Sequence, residues 1–153
     1  MRAETNFFGE IDIPEEKVIR LENGMIGFPK LKNFGLIFDE EKGLEKSKIM
    51  WLQSLDDGDI AFPVMMPHIV KEDYNPTVNN EILSPLGELV DENTFVLVTV
   101  TVPKDPKKFT VNLKAPIIIN TDNMKGTQVI AEDDYPVKFA AYSQLEKEEK
   151  AGE

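Results

Sequence analysis

Apolar and polar residues alternate with a period of two along much of this chain, which is typical of β-strands. The clearest case is TFVLVTVTV at 94–102, where every second residue from Val96 to Val102 is a valine. The opposite face starts with a phenylalanine and a leucine and ends with two threonines. We therefore expect the valine face to be buried throughout and the other face to be covered at one end only.

A hairpin is predicted in the middle of the chain. The strand-like runs KIMWLQSL at 48–55 and IAFPVMMP at 60–67 flank the acidic turn DDGD at 56–59. Proline cannot donate a hydrogen bond within a sheet, so Pro63 predicts an edge, bulged or interrupted strand. Farther along, NNEILSPLGEL at 79–89 predicts either a short helix or an irregular connection.

One stretch changes its pattern across a proline. TVNLKAPIIIN at 110–120 alternates as far as Lys114 and then, after Pro116, contains three consecutive isoleucines. A half-exposed segment that becomes fully apolar at a proline indicates a β-bulge or a barrel corner. TQVIAE at 127–132 predicts a further strand, and the lysine-rich PKDPKK at 103–108 predicts a basic turn.

Short strands separated by turns, with little helix, predict an all-β fold, mainly antiparallel. We expect one small β-barrel-like domain over 1–140 with one or two short helical segments, because closure removes exposed sheet edges. The segment 39–46 predicts an exposed loop, and 141–153 predicts a charged tail that is a short helix or disordered.

Charge narrows the range of partners. The net charge is −11, from 28 acidic and 17 basic residues, so direct binding to nucleic acid is disfavoured. A negative field favours a basic partner, although acidity also simply keeps a protein soluble. The chain has no cysteine, no apparent signal peptide and no apolar run near the ~20 residues of a membrane span. We expect a cytoplasmic protein that does not bind a membrane.

Catalytic and metal-binding motifs are scarce. His68 is the single histidine, and no serine lies in a Gly-x-Ser-x-Gly motif. Neither phosphate-binding glycine pattern is present, and DDGD does not have the spacing of a calcium loop. We therefore predict no catalytic residue, metal or cofactor. Two alternatives stay open, namely a small hydrolase whose carboxylates meet through folding and a carbohydrate- or peptide-binding β-module.

Four segments of the chain carry a family resemblance, namely NGMIGFPKLKNF at 23–34, WLQSLDDGDIAFPVMMP at 51–67, VLVTVTVP at 96–103, and TVNLKAPIIINTDNMKG with TQVI at 110–130. In this order they resemble the FliW family of bacterial flagellar assembly factors. The resemblance implies a non-enzymatic barrel with two protein partners. One is flagellin, bound through its C-terminal helical region, and the other is the translational repressor CsrA. Binding of CsrA would relieve its repression of flagellin translation.

Two sets of residues are candidates for these contacts. The acidic set, which suits a basic partner, contains Asp56, Asp57, Asp59, Glu132, Asp133 and Asp134. The helix-accepting set, chosen for methionines and an interrupted strand, contains Met65, Met66, Ile69, Asn112 and Lys114. The alternative for the first set is solvated turns, and for the second it is core or ordinary strand surface.

Overall fold

A computed structural model describes residues 1–38 and 48–141. The strands are β1 Arg2–Thr5, β2 Gly9–Asp12, β3 Ile19–Leu21, β4 Asn33–Ile37, β5 Met50–Ser54, β6 Ala61–Met65, β7 Thr94–Thr101, β8 Thr110–Val111, β9 Ile117–Asn120, β10 Lys125–Gln128 and β11 Phe139–Ala140. The helix α1 spans Asn80–Leu83, and short 3-10 helices span Glu15–Lys17, Pro67–Ile69, Ser84–Leu86 and Pro106–Lys108.

Seven of these strands close into a barrel. The hydrogen-bonded order is β7-β6-β5-β4-β3-β10-β9, and β9 pairs with β7 to complete the ring. Every pair in the ring is antiparallel except β10 with β3, which is parallel. Strands β8 and β11 extend the sheet beyond β7, and β1 and β2 form a separate hairpin. This arrangement confirms the predicted all-β, mainly antiparallel barrel with a short helical segment.

The barrel interior holds the first core cluster. Its fully buried members come from every side of the ring and include Ile19, Leu21, Phe34, Met50, Leu52, Val64, Leu97, Ile117 and Ile119. On β7 the inward residues are Phe95 and Leu97, followed by Thr99 and Thr101. The face that turns polar halfway is therefore the one directed into the barrel, and its polar half lies towards one end.

The valine face of β7 points outward and is covered by a second core cluster. Val98 and Val100 are buried there beside Tyr74, Phe109 and Leu113. Strands β8 and β11 and the loop around Tyr74 provide this cover. The prediction of burial throughout is wrong at both ends of the valine face, because Val96 is only half-buried and Val102, beyond the β8 pairing, is 51% exposed.

The bulge predicted at Pro116 is confirmed. Val111 pairs with Val100 and Ile117 pairs with Leu97, so five residues, 112–116, stand opposite only two on β7. The isoleucines after the proline are buried on both faces, with Ile117 and Ile119 inside the barrel and Ile118 outside against Leu86. Thus one bent segment supplies both β8 and β9.

The strand predicted at 127–132 begins earlier and ends earlier, as β10 at Lys125–Gln128. The residues that follow still run beside the bulge, because Val129 N–H donates to Pro116 O and Ala131 N–H to Lys114 O. The irregular bulge breaks the regular ladder there.

The hairpin β5–β6, the turn at 56–59 and the short helix after Asn79 are confirmed.

Pro63 lies inside the ring rather than on an edge strand. It pairs with Trp51 of β5, whereas β6 pairs with β7 only through Val64 and Met65. The predicted interruption is therefore on the β7 side of the strand. The loop predicted at 39–46 and all but Ala141 of the predicted tail lie outside the described residues.

Candidate protein-binding groove

An opening lies at the end of the barrel where β7 carries Thr99 and Thr101. A cavity of about 370 Å³ lies in this opening. We call it the bulge groove, and its wall contains Ile26, Phe62, Pro63, Thr99, Thr101, Asn112, Lys114, Gln128, Ile130 and Val137. No carboxylate is among the described residues that line it.

The groove forms because two strands separate. The β6–β7 ladder ends at the Val64–Thr99 pair, and Pro63 has no N–H with which to extend it. On the other side of β7, the bulge at 112–116 moves the chain away from a regular strand path. The interrupted strand and the bulge thus leave the barrel open at the same end.

The rim of the bulge groove is apolar and exposed. Ile26, Ile130 and Val137 are 55%, 56% and 57% exposed, respectively. These residues come from three different parts of the chain and line a single cavity. Exposed large apolar side chains grouped around a concave surface mark interaction sites more often than scattered ones do. The rim is therefore the strongest candidate for partner contact.

A tight turn presents Ile26. Gly24 has a φ of +67°, and a Cβ there would lie 2.3 Å from Phe28 O, so only glycine fits without a shift. The Ile26 N–H donates to Gln128 Oε1 over 2.8 Å, which fixes this turn to β10. Phe28 packs edge-on against Phe62 with ring centroids 5.3 Å apart. This side of the groove is therefore preformed.

Asn112 and Lys114 shape the opposite side. Asn112 Oδ1 accepts hydrogen bonds from the N–H groups of Lys114 and Ala115, both over 3.1 Å. Lys114 Nζ donates to Asp133 O over 2.6 Å, and Gln128 Nε2 donates to Ala115 O over 3.2 Å. Both predicted residues line the groove, and both also hold the bulge in place.

The other members of the helix-accepting set lie elsewhere. Met65 is fully buried in the second core cluster, so it offers a partner no surface. Met66 is half-buried against the first core cluster, and Ile69 is half-buried against the second. The structure therefore does not bring these three residues into the groove with Asn112 and Lys114.

In the first acidic turn, 56–59, two of the three carboxylates accept hydrogen bonds from within the chain. Asp56 accepts hydrogen bonds from the N–H groups of Lys32 and Asn33 and from Asn33 Nδ2, over 2.7, 2.9 and 3.0 Å. Partial burial acts to raise the pKa of Asp56, but these hydrogen bonds outweigh it and hold that pKa below its usual value. Asp57 accepts from the N–H of Asp59, whose own carboxylate bonds to no other described residue.

The second acidic turn borders the bulge groove. Asp133 accepts hydrogen bonds from Thr77 N–H over 2.5 Å and from Thr77 Oγ1 over 3.1 Å. The backbone hydrogen bond from Thr77 is the main reason that the pKa of Asp133 lies below its usual value. The carboxylates of Glu132 and Asp134 are exposed and make no hydrogen bond or ion pair within the described part of the chain.

A buried tyrosine connects this turn to the bulge. Tyr74 Oη donates to Leu113 O over 2.6 Å, and its ring packs against Tyr135 with centroids 4.7 Å apart. Burial raises the pKa of Tyr74, which keeps this donor protonated. His68 accompanies it, with Nε2 placed 3.0 Å from Tyr74 O. The single histidine thus has a structural partner.

Within residues 1–38 and 48–141 no group of three or more histidine, aspartate or glutamate side chains is arranged to hold a metal ion. In the same ranges no helix is long and apolar enough to span a membrane.

Sequence reasoning missed the rim residues Ile26, Ile130 and Val137. Ile26 lies in the short segment between Gly24 and Gly27, which has no strand or helix pattern that would predict a covering element for its side chain. Ile130 and Val137 belong to segments that looked like ordinary strand and turn. Their signal was an apolar residue in an irregular segment, but only the fold shows that the three line one cavity.

The fold is a small β-barrel with a closed ring of strands, and a groove with an apolar rim opens at one of its ends. A family model described as "FliW protein" matches residues 2–141. A "flagellar assembly factor FliW" of Lachnospira eligens is 45% identical over 151 residues, covering 97% of this chain and 99% of that protein. One of the same name from Lachnoclostridium phytofermentans is 42% identical over 147 residues, covering 95% and 94%.

A solved structure has the same architecture. The crystal structure of a flagellar assembly factor FliW superimposes with a TM-score of 0.82 at 27% identity, covering 93% of this chain and 97% of that one. The chain therefore belongs to the FliW family, as the order of its four sequence segments predicted.

Proposed function

We propose that this protein is a non-enzymatic flagellar assembly factor that works in the cytoplasm and binds two proteins. The C-terminal helical region of flagellin occupies the bulge groove, and CsrA contacts the acidic turn beside it. The observation that carries the proposal is the exposed apolar rim of Ile26, Ile130 and Val137 around a preformed cavity. Flagellin and CsrA are named as the partners on the strength of the family resemblance, and membership of a flagellar assembly factor family supports a flagellar role.

The groove suits an amphipathic helix. Apolar residues at helical spacing on a partner helix can cover the three rim side chains, while polar residues of that helix face the Thr99 and Lys114 side. The walls are already fixed by internal hydrogen bonds, so binding orders few protein groups. A cavity of about 370 Å³ accepts one or two side chains of the helix as anchors.

The acidic side chains suit a basic RNA-binding protein. Glu132, Asp134 and Asp59 keep carboxylates that no other described residue engages, so they are available for intermolecular ion pairs. Asp56, Asp57 and Asp133 serve mainly to hold turns in place. The net charge of −11 adds a long-range attraction that raises the association rate with a cationic partner.

The two proposed contacts are adjacent. Ile130 lies on the rim of the groove, and Glu132 follows it by two residues. Lys114, which lines the groove, donates to the backbone of Asp133. Because bulky partners at neighbouring sites exclude each other, flagellin bound in the groove would hinder CsrA at the acidic turn.

The flagellin contact is tested by placing a charge on the rim. Ile130→Glu is expected to weaken binding of a flagellin C-terminal peptide by at least about tenfold, because an isoleucine buried on binding is replaced by an ion. Val90→Glu is the matched control, since Val90 is 47% exposed and lies outside the groove. Calorimetric titration measures both. Equal affinity of the two variants for the peptide would show that the peptide does not bind in the groove.

The CsrA contact is tested by charge reversal. Glu132→Lys with Asp134→Lys is expected to slow association with CsrA by about tenfold at low salt. The control, Asp91→Lys with Glu92→Lys, changes the net charge equally in an exposed loop before β7. Stopped-flow measurements over a range of salt concentrations separate the local effect from the overall one. If both double variants slow association equally, no particular acidic turn is the contact.

The two open alternatives receive less support. A hydrolase requires paired carboxylates in a pocket, but no carboxylate lines the described wall of the bulge groove. A carbohydrate-binding module requires an exposed aromatic platform in its site. In this groove Phe62 is half-buried and packs on Phe28 and Phe34.

A further inference from the structure

The opposite end of the barrel carries a second, more apolar cavity, of about 450 Å³. Its inner wall includes the apolar side chains of Ile19, Leu36, Phe38, Phe95, Ile119 and Met124, and its lining also contains Asp12, Ile13, Pro14, Lys17 and Thr121. Phe95 precedes Thr99 by four residues on β7, which places the two openings roughly 13 Å apart along that strand. None of the residues that line this second cavity lines the bulge groove.

Two short turns fix the entrance. Met124 has a left-handed φ of 58°, and its N–H donates to Asn120 O over 2.7 Å. On the other side, Lys17 N–H donates to Pro14 O over 2.8 Å at the end of a 3-10 helix. The cavity is therefore preformed, and its volume lies within the roughly 300–1,000 Å³ of small-molecule sites.

The charges at the entrance are unequal. Asp12 is compensated by the N-terminal ammonium group at 3.3 Å and by Arg2 Nε at 3.8 Å. The ammonium group of Lys17 makes no ion pair or hydrogen bond with any described residue. Thr121 Oγ1 donates to Asn93 O and is already satisfied. The one uncompensated charge on the described lining is therefore positive.

We propose that this second cavity binds a small anionic amphiphile, namely a monocarboxylate with a single hydrocarbon chain of medium length. The hydrocarbon chain occupies the space between Phe38, Phe95 and Met124, where apolar surface is removed from water. The carboxylate remains at the entrance beside Lys17, where it meets the free ammonium group. The proposal does not depend on flagellin or CsrA, because the two sites share no lining residue.

The test is calorimetric titration of the full chain with decanoate below its micelle concentration. We expect saturable binding of one decanoate per chain, and weaker binding of decanol and of decyltrimethylammonium, which lack the negative head. Lys17→Gln is expected to weaken decanoate binding about two- to fivefold, the size of an exposed ion pair, and to leave decanol binding unchanged. Lys107→Gln, on the exposed turn between β7 and β8, is the matched control.

A second variant locates the ligand. Met124→Glu places a carboxylate at the wall of the cavity and is expected to abolish decanoate binding, with folding checked by thermal unfolding. Absence of saturable decanoate binding overturns the proposal. Equal affinities for decanoate, decanol and the cationic amphiphile overturn it as well, since the head would then play no part. Unchanged decanoate binding by Met124→Glu places the ligand elsewhere and has the same consequence.

Discussion

The two ends of the barrel differ because of one strand. At one end the inward residues of β7 are Thr99 and Thr101, and the bulge groove has a polar side with asparagine, lysine and glutamine. At the other end Phe95 faces inward, and the second cavity has apolar inner walls with Asp12, Lys17 and Thr121 also on its lining. The same alternation that predicts a strand thus distributes polarity along the barrel axis, and our two proposals place different ligands at the two ends for this reason.

The two openings are separated by a closed layer of the first core cluster. Phe34, Leu52, Leu97 and Ile117 are all 0% exposed and lie between them. The two cavities share no lining residue, so we treat each opening as a separate candidate site. We propose a helical peptide as the partner of the bulge groove and a single-chain carboxylate as the ligand of the second cavity.

The largest effect on stability is expected from a cavity in the buried layer of the first core cluster. Phe34→Ala removes a fully buried ring that packs near Phe62, at a centroid distance of 6.3 Å. We expect the free energy of unfolding to fall by about 3–5 kcal/mol, through lost apolar burial and a residual cavity. Urea unfolding measures this loss. Phe28→Ala, at a residue that is 40% exposed, is the control and should cost clearly less. Equal losses would contradict the view that the buried Phe34 stabilises the barrel more than the exposed Phe28 does.

A smaller effect is expected from the bulge alone. Asn112→Ala removes the acceptor for two backbone N–H groups, those of Lys114 and Ala115. The expected loss is about 1–3 kcal/mol, because partly buried donors are left without a partner. Flagellin-peptide binding in the groove should weaken, whereas decanoate binding in the second cavity should not change.

Asn75→Ala is the matched control for that variant, since the Asn75 side chain makes no hydrogen bond within the described ranges. Its stability and its peptide affinity should equal those of the wild type. If Asn112→Ala alters both openings to the same degree, the bulge is not a local feature of the groove.

Much of the fold follows from local pattern. The alternating run of β7, the hairpin about DDGD and the change of pattern at Pro116 each depend on neighbouring residues, so the sequence predicts them directly. Asn112 and Lys114 could be placed at a candidate surface for the same reason. Their segment is half-exposed, and its polar positions point away from Val111 and Leu113, which are buried.

The rest depends on long-range pairing. Alternation separates two faces, but it does not say which face enters the barrel, and so Met65 appeared to be a surface residue although a second core cluster covers it. The parallel pair β10–β3 joins residues about a hundred positions apart, and no local signal predicts it. Ile26, Ile130 and Val137 form one rim only after that closure.

The smallest effect is expected from pH, and it should be confined to the groove side of the comparison. The folded-state pKa of Asp133 is lowered, so the folded chain holds fewer protons at this group than the unfolded chain does. Its contribution to stability is therefore complete above the unfolded pKa of about 3.9 and is lost as the pH falls below it.

Asp133→Asn should lower the melting temperature slightly at pH 7. The difference from the wild type should shrink as the pH approaches about 3, which thermal unfolding can follow. Asp134→Asn, next to it but without a described side-chain hydrogen bond, should show no such trend. If both variants lose their difference from the wild type in the same way, general charge repulsion rather than the Thr77–Asp133 hydrogen bonds sets the acid sensitivity of this rim.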